Sequence, residues 1–455
     1  MAMKNNLQTT RRQLLRMGFR TASTIGAAAA FGHLGRVNAW AQSGTDYKAL
    51  VCVFLFGGHD ANNMVVPLST TGYQQYQSVR QGLALAANTL LPVNTAQNEA
   101  YGLHPSLQPL QALYTTSKDL ALVANVGMLV RPVTRDEYLQ RSKPVPSNLF
   151  SHSDQTAQWQ NAAPLGGVTT GWSGRIADKL GALNYPSQFP VSIGVSGNAL
   201  QLVGQTTVPT SIQNSTFGLE GSDGSAVANA RDHALEQILA MSSGAVLVQA
   251  ANQVLTDALK VAKLVDEAST SAPPLNTAFP NTGLGQQLLQ VARIIQIRAQ
   301  LGMKRQIFFC SLGGFDTHSG QLGTQAALLT ELAQAMAAFY NATGEMGVQN
   351  GVVTFTESEF SRTFQPNGTA GTDHAWGGHT LVLGGPVNGG NMYGKFPSLV
   401  LGGVDDSGNR GNWIPGVALD QYGATLATWF GVQPGDLQYV FPNVNNFSSP
   451  AVGFL

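Results

Sequence analysis

Six apolar runs punctuate the chain, bounded by glycines or polar turns. They are Lys48 to Phe56, Leu120 to Val126, Pro190 to Val195, Gln306 to Leu312, Val352 to Thr356 and Thr380 to Leu383. The first is continuously apolar and rich in branched and aromatic residues, which predicts a strand buried on both faces, as in parallel sheets. Between the runs lie stretches with helical spacing: 73–83, 103–114, 151–160, 173–183, 225–241, 245–268, 285–301 and 322–342. Strands alternating with helices predict an α/β fold, a predominantly parallel central sheet flanked by helices on both faces. The three consecutive helices predict a helical insertion around 225–301.

Polar chemistry gathers just past the apolar runs. The densest stretch is Gly371 to His379, which holds Asp373, His374 and His379 among glycines. Others pair His59 with Asp60, His152 with Asp154, Asp316 with His318, and Glu357 with Glu359. Ligands of open α/β sheets collect outside the carboxyl ends of the strands. The stretch Phe54 to Asp60 echoes Cys310 to Asp316, each an apolar strand followed by Gly-Gly-x-Asp. Two strands are therefore expected to present an Asp to one edge.

Asp and His together are a ligand set for divalent transition metals. Asp60, Asp316, His318, Asp373, His374 and His379 form the candidate ligand list for a dinuclear cleft. Two cations there would clamp an ester oxyanion and prepare a water or hydroxyl nucleophile. Buried histidines bonded to carboxylates are common, but three acid–imidazole clusters beside glycines are harder to attribute to packing. Glu357 and Glu359, two apart in an extended segment, face one side; pairing with Arg362 competes with a functional role. Arg362 has the planar fork to hold an anionic substrate. Asn62 and Asn63 suit turn capping or an oxyanion contact. Ser151 opens Ser-His-Ser-Asp, first of all a helix N-cap, with a nucleophile as the lesser reading.

Composition narrows the compartment and the partners. The chain has 455 residues with 25 basic and 25 acidic side chains. Residues 1–41 read as a twin-arginine signal peptide: Arg11 and Arg12, a small apolar run from Ala22 to Leu34, then Ala39-Trp40-Ala41. That run is too short to span a membrane comfortably. The leader holds six basic residues and no acid, so the mature chain 42–455 carries 25 − 6 = 19 basic against 25 acidic, a net of −6. Such a balance argues against nucleic acid. The twin-arginine translocase is the partner expected during export, with a periplasmic or secreted address. Cys52 and Cys310 lie in apolar runs without metal spacing and read as buried free thiols.

Taken together, the twin-arginine leader, Phe56 to Asp60, Leu103-His104-Pro105, Ser151 to Gln155, Gly313 to His318, Ser358 to Thr363 and Gly371 to His374 resemble the domain-of-unknown-function family 1501. That family is similar in turn to the alkaline phosphatase and sulfatase superfamily. The resemblance implies a single alkaline phosphatase/sulfatase-like domain over 42–455. It also implies metal-dependent hydrolysis of phosphate or sulfate esters, with zinc, manganese, magnesium or calcium as the ion. Under it Asp60 matches the first-strand metal Asp, Ser151 or His152 the nucleophile region, and Asp316 with His318 one ligand pair. Asp373 with His374 matches the adjacent pair, and His379 a late metal His. Neither cysteine stands in a Cys-x-Pro-x-Arg context, so a formylglycine sulfatase is not expected. The alternative is a non-catalytic envelope protein of the same fold that binds metal, glycan or a partner chain.

Overall fold

The computed structural model describes residues 46–212, 225–241, 244–269 and 272–455. The leader, 1–41, lies outside them. In chain order the strands are β1 (Lys48–Leu55), β2 (Val65–Pro67), β3 (Leu91–Asn94), β4 (Ala100–Leu103), β5 (Leu120–Gly127) and β6 (Ser192–Gly194). They continue with β7 (Thr210–Ser211), β8 (Arg305–Leu312), β9 (Val352–Glu357), β10 (Gly378–Leu383), β11 (Met392–Tyr393) and β12 (Val417–Ala418). All six apolar runs contain a strand.

The main sheet runs β11-β5-β10-β9-β1-β8-β6-β7, with β12 also paired to β5. β1 lies at its centre, parallel to β8 on one side and to β9 on the other. β10 runs antiparallel to both β9 and β5, so the sheet is mixed and mostly parallel. Side chains of β1 alternate between two cores. Ala49, Val51, Val53 and Leu55 face one, while Leu50, Cys52 and Phe54 face the other. Such two-sided burial explains why the run reads as continuously apolar. Burial of each large apolar side chain contributes about 1.5–3 kcal/mol.

The first core is closed by helices Gln108–Thr115, Gly283–Gln296 and Gln321–Glu345. The second is closed by His152–Asn161, Trp172–Leu180 and Leu419–Phe430. Helices therefore cover both faces. Cys52 belongs to the second core and Cys310 to the first. The sheet separates the two thiols, and both are free.

The expected insertion divides differently. Ala226–Ala240 and Val246–Ser269 carry exposed apolar side chains, including Val227, Ile238, Val246 and Leu247. Gly283–Gln296, grouped with them from sequence, buries Leu284, Leu288, Val291 and Ile295 in the first core. It is a layer helix of the body. A small antiparallel sheet, β2-β4-β3, was not expected. Its strands have three or four residues, too few for the period of two to register against noise. Among the described residues, no helix is long and apolar enough to cross a membrane.

Glu357 ends β9 inside the second core, beside Cys52, whose Sγ lies 3.5 Å from Oε2. Burial raises its pKa from the usual 4.5 to about 8. The folded chain thus keeps a proton that the unfolded chain has released. Stability from this group is fully present below about pH 4.5 and is lost as pH rises through about 8. Glu357→Gln keeps the shape and removes the titration. Its melting temperature should fall less than that of wild type between mildly acidic and mildly alkaline pH, as calorimetry at constant ionic strength would record. Parallel pH curves for the two proteins would refute the assignment.

Candidate metal centre

The sheet order decides which loops meet. β1, β8 and β9 are parallel and adjacent, with Leu55 opposite Leu312 and Phe54 opposite Glu357. Their carboxyl ends share one edge. β10 runs the other way, so its amino end lies at that edge. β5, antiparallel to β10, also ends there and leads through a long loop to helix His152–Asn161. Every stretch singled out for its chemistry is thus delivered to a single side of the sheet, as the geometry of α/β sheets favours.

Two glycines allow the loops to close on each other. Gly57 has φ 115°, and a Cβ there would sit 2.3 Å from the backbone N of Asp316. A Cβ on Gly371 would sit 2.2 Å from the carbonyl carbon of His318. Backbone also sets His374. Ser361 N–H donates to Trp376 O, Thr363 N–H to Asp373 O and Ala375 N–H to Ser361 O, so 361–363 and 373–375 pair as a short ladder.

His152, Asp316 and His374 converge. Nε2 of His152 is 3.1 Å from Nε2 of His374, and each lies 3.4 Å from Oδ1 of Asp316. His318 meets the same His374–Asp316 edge, its Nε2 3.0 Å from each partner. The centre is partly open, with the side chains of Asp316 45% and His318 46% exposed.

An outer partner orients every imidazole. His374 Nδ1 lies 2.7 Å from Phe150 O. A carbonyl only accepts, so Nδ1 carries the proton and Nε2 turns a lone pair inward. His152 Nδ1 is 2.8 Å from Glu359 Oε1, which also accepts from Gly57 N–H. His318 Nδ1 is 3.2 Å from Asp373 Oδ1, and Arg410 Nη1 donates to the other oxygen of Asp373 at 2.6 Å. The Phe360 ring stacks on His374 at 4.8 Å and lies 4.7 Å from His152.

Charge follows from these contacts. The Glu359 bond raises the pKa of His152 against the opposing effect of partial burial. Burial lowers that of His374. Burial opposes ionisation of Asp316, but the Arg362 guanidinium bonded to it outweighs this and holds its pKa below the usual carboxylate value. Asp373 is likewise lowered overall: burial raises it, and Arg410, Asn367 and His318 more than offset that.

The donor set fits a divalent cation. Neutral imidazole lone pairs and a carboxylate oxygen aimed at one another across 3.0–3.4 Å repel unless a positive charge lies among them. A tetrahedral ion with bonds of about 2.0–2.1 Å has ligand–ligand edges of roughly 3.3 Å. The triangle of His152, His374 and Asp316 has edges of 3.1, 3.4 and 3.4 Å, one face of such a figure. His318 Nε2, 3.0 Å from both His374 Nε2 and Asp316 Oδ1, supplies a fourth donor at the same edge.

The structure does not bring the whole candidate list together. Asp60 N-caps the turn Ala61–Met64 and is buried, its oxygens taken by Arg80, Gln321 and Asn62. Its twin in the Gly-Gly-x-Asp echo, Asp316, alone reaches the cluster. His379 is enclosed behind the site, its Nδ1 accepting from Asn125 N–H and its pKa pushed down by burial to about 3. Asp373 stands behind His318 rather than at the convergence. His152, expected in the nucleophile region, contributes a ligand-type nitrogen.

Ser151 N-caps helix His152–Asn161, accepting from Asp154 N–H and donating to Asp154 Oδ2. Arg362 is fully buried and bonds Asp316, Gly57 O and Thr372, and neither Glu357 nor Glu359. Asn62 and Asn63 make buried structural bonds. Arg410, Phe150 and the outer role of Glu359 escaped sequence reasoning. Arg410 sits in a turn-rich stretch, 405–412, whose composition signals a loop and nothing more.

The comparisons agree with the motif reading at the level of family. The model of a family described as "Protein of unknown function (DUF1501)" matches residues 47–409. No curated protein matches the sequence. Among solved structures, the lipoteichoic acid synthase LtaP of Listeria monocytogenes aligns over 88% of this chain and 79% of its own, at 8% identity and TM-score 0.34. The phosphonate monoester hydrolase of Agrobacterium radiobacter aligns over 85% and 74%, at 8% identity and TM-score 0.33. The sulfatase PsFucS1 of Pseudoalteromonas sp. aligns over 78% and 66%, at 8% identity and TM-score 0.29.

The outer partners generate a test. Glu359→Gln and Arg410→Ala leave the converging atoms in place and loosen the imidazoles behind them. Each should weaken zinc binding by about 10–100-fold in competition titrations with a chelating dye. Affinity equal to wild type in both variants would remove the metal centre as an explanation of the geometry.

Proposed function

The chain belongs to the DUF1501 family, and from the converging donors we propose an exported metal-dependent hydrolase of phosphate or sulfate esters. The observation that carries the reading is the open triangle of His152, His374 and Asp316, with each imidazole locked from behind. Its nitrogen-rich donor set favours zinc over the oxygen-seeking manganese, magnesium and calcium. The choice of ester cleavage rests on the motifs shared with the phosphatase and sulfatase superfamily. The leader, 1–41, supports export by the twin-arginine translocase to the periplasm or beyond.

A bound divalent ion supplies a Lewis acid for an ester oxygen and lowers the pKa of a water it holds. The chain's own groups have separable tasks. Glu359 and Phe150 O keep His152 and His374 in the tautomer that turns Nε2 inward. Arg362 holds Asp316 ionised and in place, and in this reading it is a positioning residue rather than a substrate anchor. Arg410, 41% exposed at the rim, is the cation better placed to meet an anionic ester. The Ser151 hydroxyl is engaged by Asp154, which favours water over serine as the nucleophile.

One observation favours the non-catalytic reading. Both polar residues expected to act directly on substrate, Ser151 and Arg362, are committed to structural bonds. Metal binding without turnover would have the same donor geometry.

Purified mature protein loaded with zinc or manganese should hydrolyse an activated aryl phosphate or sulfate. Asp316→Asn should lose bound metal and activity together, while Ser151→Ala should keep most of both. A metal-loaded wild type inert across a broad ester panel would establish the non-catalytic reading instead. Export is tested separately: Arg11 and Arg12 changed to Lys should strand the precursor in the cytoplasm, and unaltered export would dismiss the leader assignment.

A further inference from the structure

Beside the centre lies a small chamber, lined mostly by buried residues, that the proposed reaction does not use. Phe360, whose ring centroid lies 4.8 Å from that of His374 and 4.7 Å from that of His152, is part of its lining. Leu55, Val126 and the backbone of Gly378 close part of the wall. The remainder is polar: Thr356, Ser358, His379 and Thr380, and three further groups, His59, Trp159 and Glu357. These three are 3%, 2% and 0% exposed. Both ring nitrogens of His59, Nε1 of Trp159, Oε1 of Glu357 and Oγ1 of Thr380 have no hydrogen-bond partner in the protein. Buried polar atoms without partners are rare in native proteins and call for a specific explanation.

Size and hydrogen-bond balance narrow the occupant. The space open to a water-sized sphere is about 10 Å³, about what a single water needs and too little for an organic ligand. Trp159 offers a proton and no lone pair. Burial pushes His59 down to about 4, so at neutral pH its ring offers one donor and one acceptor. Burial pushes Glu357 up to about 8, so its carboxyl carries no charge there. The walls are therefore neutral as well as polar. A bare cation would face the indole N–H, and an anion would find no cationic side chain among the lining residues.

We propose that the chamber is a binding site for one internal water molecule, held by Trp159 Nε1, Glu357 Oε1 and a ring nitrogen of His59. The water accepts from the indole and donates to Glu357 and His59, so three of its four hydrogen-bonding positions are used, typical of buried waters. It fills the space behind Phe360 and so supports the ring on which the two imidazoles rest. The site is independent of the ester reaction and stands whether or not the protein turns over a substrate.

A high-resolution crystal structure of the mature chain should show one ordered peak within about 3 Å of Trp159 Nε1 and Glu357 Oε1. The same crystals soaked in rubidium chloride should show no anomalous peak there. A rubidium peak would make this an alkali-cation site, and a chamber without density would leave these atoms unpaired; either result overturns the proposal. In solution, oxygen-17 relaxation dispersion counts slowly exchanging internal waters. Trp159→Phe should lose one relative to wild type, and Glu357→Leu, which removes the acceptor instead, provides the second variant should the first not fold. An unchanged count in a folded variant would also overturn it.

Discussion

One buried carboxylate oxygen ties the centre together. Oε1 of Glu359 accepts from the backbone N–H of Gly57 and meets Nδ1 of His152. It therefore joins the turn after β1, the turn after β9 and the first residue of helix His152–Asn161. Glu359 is 1% exposed, so water does not compete for these bonds. Without that contact Nδ1 of the His152 ring would have no polar link to the sheet edge. The requirement extends into the backbone: Gly57 can approach Phe315 and Asp316 only because it has no side chain.

Around this joint, identical residue types meet opposite fates according to their surroundings. Asp60 and Asp316 follow matching Gly-Gly turns on adjacent parallel strands. The first is drawn into a buried pair with Arg80 and caps a helical turn; the second stays at the open edge beside Arg362. The histidines divide in the same way. His59, His104 and His379 are buried, and burial lowers their pKa values to about 4, 4 and 3. They serve as neutral interior groups. His152, His318 and His374 remain partly exposed, each oriented by a polar partner at Nδ1. Desolvation separates the two sets, and sequence spacing carries no information about it.

The layered architecture serves the centre by rigidity. β1 is buried on both faces and paired on both edges, so the loops leaving β1, β8 and β9 start from fixed positions. The helical pair Ala226–Ala240 and Val246–Ser269 exposes apolar side chains and contributes only its last turns to the core, through Val261, Val265 and Ala268.

The amino-acid sequence by itself determined the long strands of the main sheet, because burial on both faces demands uninterrupted apolar runs such as 48–56 and 306–312. It determined the helices with a strong apolar side, and it placed the acid and imidazole residues beyond the strand ends. Motif resemblance carried the family. The tertiary structure alone decided the antiparallel course of β10, since pairing direction leaves no mark in a strand of six residues. It also decided which acids and imidazoles converge. Asp60 and His379 look as suitable as Asp316 and His374 in sequence; what separates them is a distant partner, Arg80 for one and the enclosing core for the other. Arg410 and Phe150 entered the site for the same reason. Their roles rest on contacts across 37 and 224 positions of chain, which only the folded sheet edge brings within hydrogen-bond reach.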